Sequence, residues 1–249
     1  MEKTRLALAA FLAVMSIPAL AQDAKSDWTV TGNVGLFSDY RFRGISQTDE
    51  SPALQGGFDV GHSSGFYVGN WNSNIDSDFF AGANLEMDFY GGYKGSFGDF
   101  GYDVGLLYYY YPNSGRGDAD KIDNTEIYFG IGYGGFSAKY YHAIGEFFSV
   151  DDSENSYYID LGYTHDLGNG FGLVAHVGYQ KLKGDARVIE MDETDRNSSI
   201  IDYKLGVTYD LSGFIVGLSY IDTNRDLAGA RPNRNISDGT GVLSISKTF

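Results

Sequence analysis

The sequence predicts an all-β chain, an antiparallel transmembrane β-barrel of about twelve strands with short periplasmic turns and longer outer loops. Three observations carry that expectation. Short segments alternate apolar and polar side chains, which is the period of an extended strand with two unlike faces. The links between these segments alternate in length, short then long. The closing stretch Gly241–Phe249, GVLSISKTF, is itself a strand that ends on an aromatic residue, where termini usually fray. A barrel needs such a strand, because its last member must pair with its first to remove both edges.

The start of the chain predicts the compartment. Lys3 and Arg5 precede the apolar run Leu6 to Leu20, and Ala19-Leu20-Ala21 supplies a small-residue cleavage site. This is the pattern of a secretory signal peptide over residues 1–21, leaving 22–249 as the barrel. The run is too short for a membrane helix. The chain holds no Cys, so disulfides, thiol chemistry and a lipoprotein anchor are excluded. A formal net charge of −15 argues against nucleic acid as a partner. The 34 Gly, 20 Tyr and 17 Phe against only 4 Pro exclude disorder, which is poor in aromatics. They suit many strands, tight turns and aromatic girdles at a membrane interface.

Taken in order, the expected strands are Trp28–Phe37, Pro52–Gly61, Phe66–Asn74, Phe79–Tyr93, Phe100–Tyr111 and Thr125–Tyr133. Phe136–Phe147, Tyr157–His165, Phe171–Leu182, Ile201–Asp210, Phe214–Asp222 and Gly241–Phe249 follow. Pro112 ends the fifth, as a residue without an N–H should. Short turns fall near 62–65, 95–99, 134–135, 167–170 and 211–213; the Asn169-Gly170 pair is a strong hairpin signal. The longer links are 38–51, 75–78, 112–123, 148–155, 183–197 and 223–239, with strand character around Tyr40 to Ile45. An even strand count puts both ends of the barrel on the periplasmic side. A soluble sandwich would also alternate, but the polar faces here are too numerous to lie outside a shared core. A membrane barrel turns apolar faces to lipid and polar faces to a lumen.

The inward faces predict a charged lumen. Asp59, Glu86, Asp88, Asp103, Glu126, Asp160 and Asp202 fall there together with Lys94, Lys139 and Lys204, with Arg41 and Arg43 near the outer mouth. Such a lining sets a field and a selectivity, and the acid excess favours cations. The expectation is a channel for passive diffusion of small hydrophilic solutes or ions. The alternative is a closed structural or adhesive barrel in which the same residues pair across the lumen. Twelve strands enclose a lumen of intermediate width, and inward Gly such as Gly105, Gly130 and Gly162 leaves it room.

No residue set predicts catalysis, a cofactor or a metal. His62, His142, His165 and His176 lack metal-ligand spacing. A barrel-wall hydrolase around His142 and Ser137 has no G-x-S-x-G motif behind it. Asp151, Asp152 and Glu154, with the Asp185–Asp195 stretch, read as solvated loops rather than a Ca²⁺ site. The expected partners are outer-membrane lipid, lipopolysaccharide and the barrel-assembly machinery, with Phe249 as the assembly signal.

The segments SDYRFRGISQ (38–47), PALQGGFDVGHSSGFYVGNWNSN (52–74), LEMDFYGGYKG (85–95) and GLLYYYYP (105–112), with the closing SISKTF, resemble the TorF-type porin family of proteobacteria. The resemblance spans the mature chain. It implies a Gram-negative outer-membrane barrel with a channel role and no catalytic residues. Lys247 departs from the usual barrel ending, and a Lys near the interface can snorkel.

Overall fold

The structure, a computed structural model, describes residues 26–115, 121–186, 188–189, 196–229 and 234–249. The expected signal peptide, with residues 187 and 190–195 of the acidic 185–195 stretch, lies outside the described residues. Twelve strands form the barrel among the described residues: β1 (Trp28–Phe37), β2 (Ala53–His62), β3 (Phe66–Asn74), β4 (Leu85–Phe97), β5 (Phe100–Tyr110) and β6 (Asn124–Tyr133), then β7 (Phe136–Ala143), β8 (Tyr157–Gly168), β9 (Phe171–Lys181), β10 (Ser199–Leu211), β11 (Phe214–Thr223) and β12 (Thr240–Thr248). Each pairs antiparallel with its neighbour in sequence, and β1 closes on β12. The seam runs from Phe37 opposite Ser244 to Asn33 opposite Thr248. Beyond it Phe249 exchanges two backbone hydrogen bonds with Gly32, at 2.8 and 2.9 Å.

The register puts every apolar face outward. Val30 is 69% exposed and Leu205 60%, whereas the neighbouring positions Thr31, Lys204 and Gly206 turn inside. Withdrawing one such Leu or Phe from water is worth about 1.5–3 kcal/mol, so this wall is stable only against lipid. The short-turn end repeats one local design. The residue after each turn is Phe: Phe66, Phe100, Phe136, Phe171 and Phe214. Four of these rings pair with a cross-strand Tyr at 4.5–5.0 Å, namely Tyr93, Tyr133, Tyr163 and Tyr209. The fifth, Phe214, meets the Lys247 ammonium at 4.2 Å, which is how the unusual lysine of the last strand is accommodated. Asn169-Gly170 and Ser212-Gly213 carry positive φ at both positions (54° and 84°, 54° and 85°), the turn whose twist matches a hairpin.

Two expected strands are shorter than their patterns suggest. The fourth begins at Leu85, not Phe79. Asp76 accepts hydrogen bonds from the Asp78 and Phe79 amides, and Ala81 and Gly82 have φ of 50° and 87°, so 76–84 coils before the strand starts. The seventh ends at Ala143, after which the chain turns through the one-turn 3-10 segment Phe147–Ser149.

Removing Phe249 takes away two seam hydrogen bonds and exposes the β1 edge. A chain ending at Thr248 is expected to insert into outer membranes less efficiently. The measurement is the fraction that resists protease and shows heat-modifiable mobility, and wild-type assembly of that chain would rule the seam role out.

Candidate functional site

The connection between β1 and β2 does not stay outside the barrel. Arg41–Phe42 and Ile45–Ser46 pair as a two-stranded ribbon that turns at Arg43-Gly44. Arg43 has φ 49° and Gly44 φ 83°. An Arg in this region is uncommon and costs backbone energy, so side-chain contacts must hold it. They are present. The Arg43 guanidinium donates to both Glu126 oxygens at 2.7 and 2.9 Å and to Gln180 Oε1 at 2.5 Å. It lies 4.4 Å over the Tyr158 ring and 4.7 Å over Phe42. Glu126 is fully buried and also accepts from the Tyr109 hydroxyl at 3.1 Å. A Cβ on Gly44 would come within 2.4 Å of Thr223 and 2.7 Å of Asp202, so only Gly lets the ribbon tip meet β10 and β11. The ribbon therefore crosses the lumen from β1 to the opposite wall.

Its base is tied to the outer connections. Arg41 pairs with Asp39 and donates to the Ile236 carbonyl at 2.9 Å and to Glu50 at 3.4 Å. Asp39 also accepts from Ser46 and Thr48. The Tyr40 hydroxyl donates to Glu86 at 3.2 Å. Two apolar clusters pack around these contacts, one of Tyr40, Ile75, Phe80 and Tyr111, the other of Leu182, Ile200, Leu227 and Ile236.

The carboxylates of the inner wall are bonded across strands. Tyr90 donates to Asp59 at 2.7 Å. Tyr67 donates to Asp103 at 2.5 Å and also contacts the Tyr128 hydroxyl. Lys139 reaches Asp103 at 3.4 Å and sits 3.9 Å over the Tyr128 ring. His176 bridges Asp202 at 2.7 Å and Asp160 at 3.1 Å, and Tyr158 donates to Asp202 at 2.9 Å. Gly178 makes room for this clamp, since a Cβ there would fall 2.0 Å from the Tyr158 hydroxyl. Glu86 and Asp88 lie side by side on the outer half of β4, both buried. Between the ribbon and the wall of β7 to β10 lies a cavity of about 350 Å³, lined by both polar and aromatic side chains.

Of the residues singled out in the sequence, Asp59, Glu86, Asp88, Asp103, Glu126, Lys139 and Asp202 are buried inside the barrel, and Asp160 and Lys204 stand on the cavity wall. Arg41 lies against the last outer connection, while Arg43 reaches inside the ring of strands to β6 and β9. Sequence reasoning missed His176 as a lumen residue, together with Gln180 and the inward tyrosines Tyr67, Tyr128 and Tyr158. Strand parity alone could have found them. The same parity breaks up the hydrolase constellation: Ser137 lines the cavity, whereas His142 lies on the other face of β7, 2.9 Å from the Tyr140 hydroxyl.

A closed antiparallel barrel with an apolar outer wall and a charged interior is a transmembrane β-barrel of the porin type. The chain belongs to the family described as bacterial protein of unknown function (Gcw_chp), whose profile matches residues 21–249. No protein of curated function matches it in sequence. Among solved structures the chain is similar to the NanC porin, with 11% identity and a TM-score of 0.57 over 89% of this chain and 99% of that one. It is also similar to a membrane protein from work on in-meso crystallization, with 14% identity and a TM-score of 0.51 over 88% and 83% of the two chains. The KdgM porin in complex with disordered oligogalacturonate matches at 7% identity and a TM-score of 0.49 over 88% and 97%. At these identities the likeness is one of fold.

Arg43→Ala leaves the buried Glu126 carboxylate without its cation. The expected loss is about 3–5 kcal/mol, read from urea unfolding out of lipid vesicles. Adding Glu126→Gln removes the orphaned charge and restores part of that loss. Equal stability of Arg43→Ala and wild type would show that the pair does not hold the ribbon.

Proposed function

We propose that this protein is a porin-like channel of the Gram-negative outer membrane, exported by a signal peptide over residues 1–21 and related to the TorF-type porins. Small hydrophilic solutes or ions diffuse through it passively, and the Arg43 ribbon sets its narrowest point. The observation that carries the reading is the cavity of about 350 Å³, lined by charged and aromatic side chains, between the ribbon and the inner wall of a closed barrel. A barrel needs no such hollow for stability, since side chains can fill an interior of modest width. Hollow space edged by charges of both signs is what a wet diffusion path requires. Lipid, lipopolysaccharide and the assembly machinery are its proposed partners in the membrane. The inward residues Asp59, Glu86, Asp88, Asp103, Glu126, Lys139, Asp160, Asp202 and Lys204 then act in two groups, those that brace the ribbon and wall and those that face the path.

One observation favours a second reading, a closed barrel working through its outer loops. The ribbon crosses the lumen and is packed under the outer connections by two apolar clusters. Planar-bilayer recording separates the two. The channel gives discrete conductance steps, and Arg43→Ala raises their size roughly twofold or more by removing the group at the constriction. Silent bilayers from protein that retains heat-modifiable folding would sink the channel and leave the closed barrel.

A further inference from the structure

The acidic composition of the inward faces suggests a cation path, but the geometry points the other way. We propose that the lumen prefers anions, small carboxylate-bearing solutes in particular, and that Lys204 is the side chain that meets them. This rests on the channel reading above.

The carboxylates nearest the hollow are already engaged, whereas Glu86 and Asp88 lie together on β4 and do not line it. Both Glu126 oxygens accept from one Arg43 nitrogen, Asp103 is held by Lys139 and Tyr67, and one Asp59 oxygen by Tyr90. Asp160 and Asp202 both bond His176. The cavity wall itself carries Arg41, Arg43, Lys139 and Lys204 against only those last two acids. Glu126 and Asp103 are not among the residues that line it, whereas their partners Arg43 and Lys139 are. Among the described residues Lys204 has neither a hydrogen-bond nor an ion-pair partner, although Asp160 lies within Coulombic range.

The local register explains why Lys204 stays available. It stands opposite His176 on β9 and Ile221 on β11. The first of these is occupied by two carboxylates and the second is apolar. Gly206 follows Lys204 on the same inward face, and Gly162 lies across from His176, so neither position places a charged side chain beside it. Ser137 and Thr164 line the same hollow and supply hydroxyl donors for the second oxygen of a carboxylate. A volume of about 350 Å³ lies in the range of small-ligand sites. An ammonium facing a narrow, low-dielectric passage raises the local concentration of the opposite ion more than it would in open water. Of the two acids that line the hollow, Asp160 is the more exposed, its side chain 34% against 3% for Asp202.

Reversal potentials across a KCl gradient test the inference on the reconstituted full-length barrel. Wild type is expected to favour chloride over potassium and to carry current when acetate replaces chloride. Lys204→Gln lowers the chloride-to-potassium permeability ratio roughly twofold or more, and Asp160→Asn raises it. Lys247→Gln, which removes the same charge from the lipid-facing side, leaves it unchanged. Conductance steps with a wild-type preference for potassium would overturn the anion path while leaving the channel intact. An absence of steps in every variant would overturn the channel reading itself. Because the sign of the wild-type potential decides the matter, a variant that fails to fold does not protect the proposal.

Discussion

Hydrocarbon offers no partner to a backbone N–H or C=O, and each one left unpaired there costs several kcal/mol. That single constraint organises the molecule. It forbids an open sheet edge, so β1 must find β12 and the two-bond exchange between Gly32 and Phe249 finishes the seam. It fixes the register, because a slip of one residue would turn Glu126 and Asp103 to lipid and Ile127 and Val104 to the lumen. Closure also concentrates the inward charged residues in one enclosed space. Charges confined together in a low dielectric must be neutralised locally or they destabilise the fold.

The interior is arranged to meet that second demand. Glu126 stands on β6, across the ring of strands from β1 and β2, which the ribbon connects. The ribbon brings the guanidinium across. Lys139 and His176 perform the same service for Asp103, Asp160 and Asp202 from within the wall. Tyrosine hydroxyls take up remaining carboxylate lone pairs, and their rings form faces on which Lys139 and Arg43 rest. What faces the hollow is therefore the residue of this pairing, not the composition of the wall.

Much of the architecture was legible because a strand in a barrel wall reports itself locally. In β6, Ile127, Phe129 and Ile131 alternate with Glu126, Tyr128 and Gly130, and two-fold periodicity is all that is needed to sort them. Phe79 to Ala83 was misread for an equally local reason. Its apolar spacing imitates a strand, while the Asp76 side chain and the left-handed Ala81-Gly82 pair enforce a coil. The ribbon was legible only as strand character near Tyr40 to Ile45. Its inward course depends on Glu126, Gln180 and Tyr158, and no window of sequence contains them together. Which inward charges pair is hidden for the same reason, since pairing is a property of the closed barrel and not of any one strand.

The Arg43-Gly44 turn shows how tightly the ribbon is specified. Gly44 meets its positive φ without cost, but Arg43 does not, and a residue such as Asn would satisfy the turn more cheaply. An arginine survives there because its guanidinium gains two bonds to a buried carboxylate, one to an amide oxygen and an aromatic face. Lysine could not replace it, since an ammonium lacks the planar fork that engages Glu126 and Gln180 at once. The strain of the turn and the burial of Glu126 are thus each tolerable only in the presence of the other. Withdrawing the ribbon from the lumen would relieve the first and leave the second uncompensated, which is why the inward ribbon belongs to the fold itself.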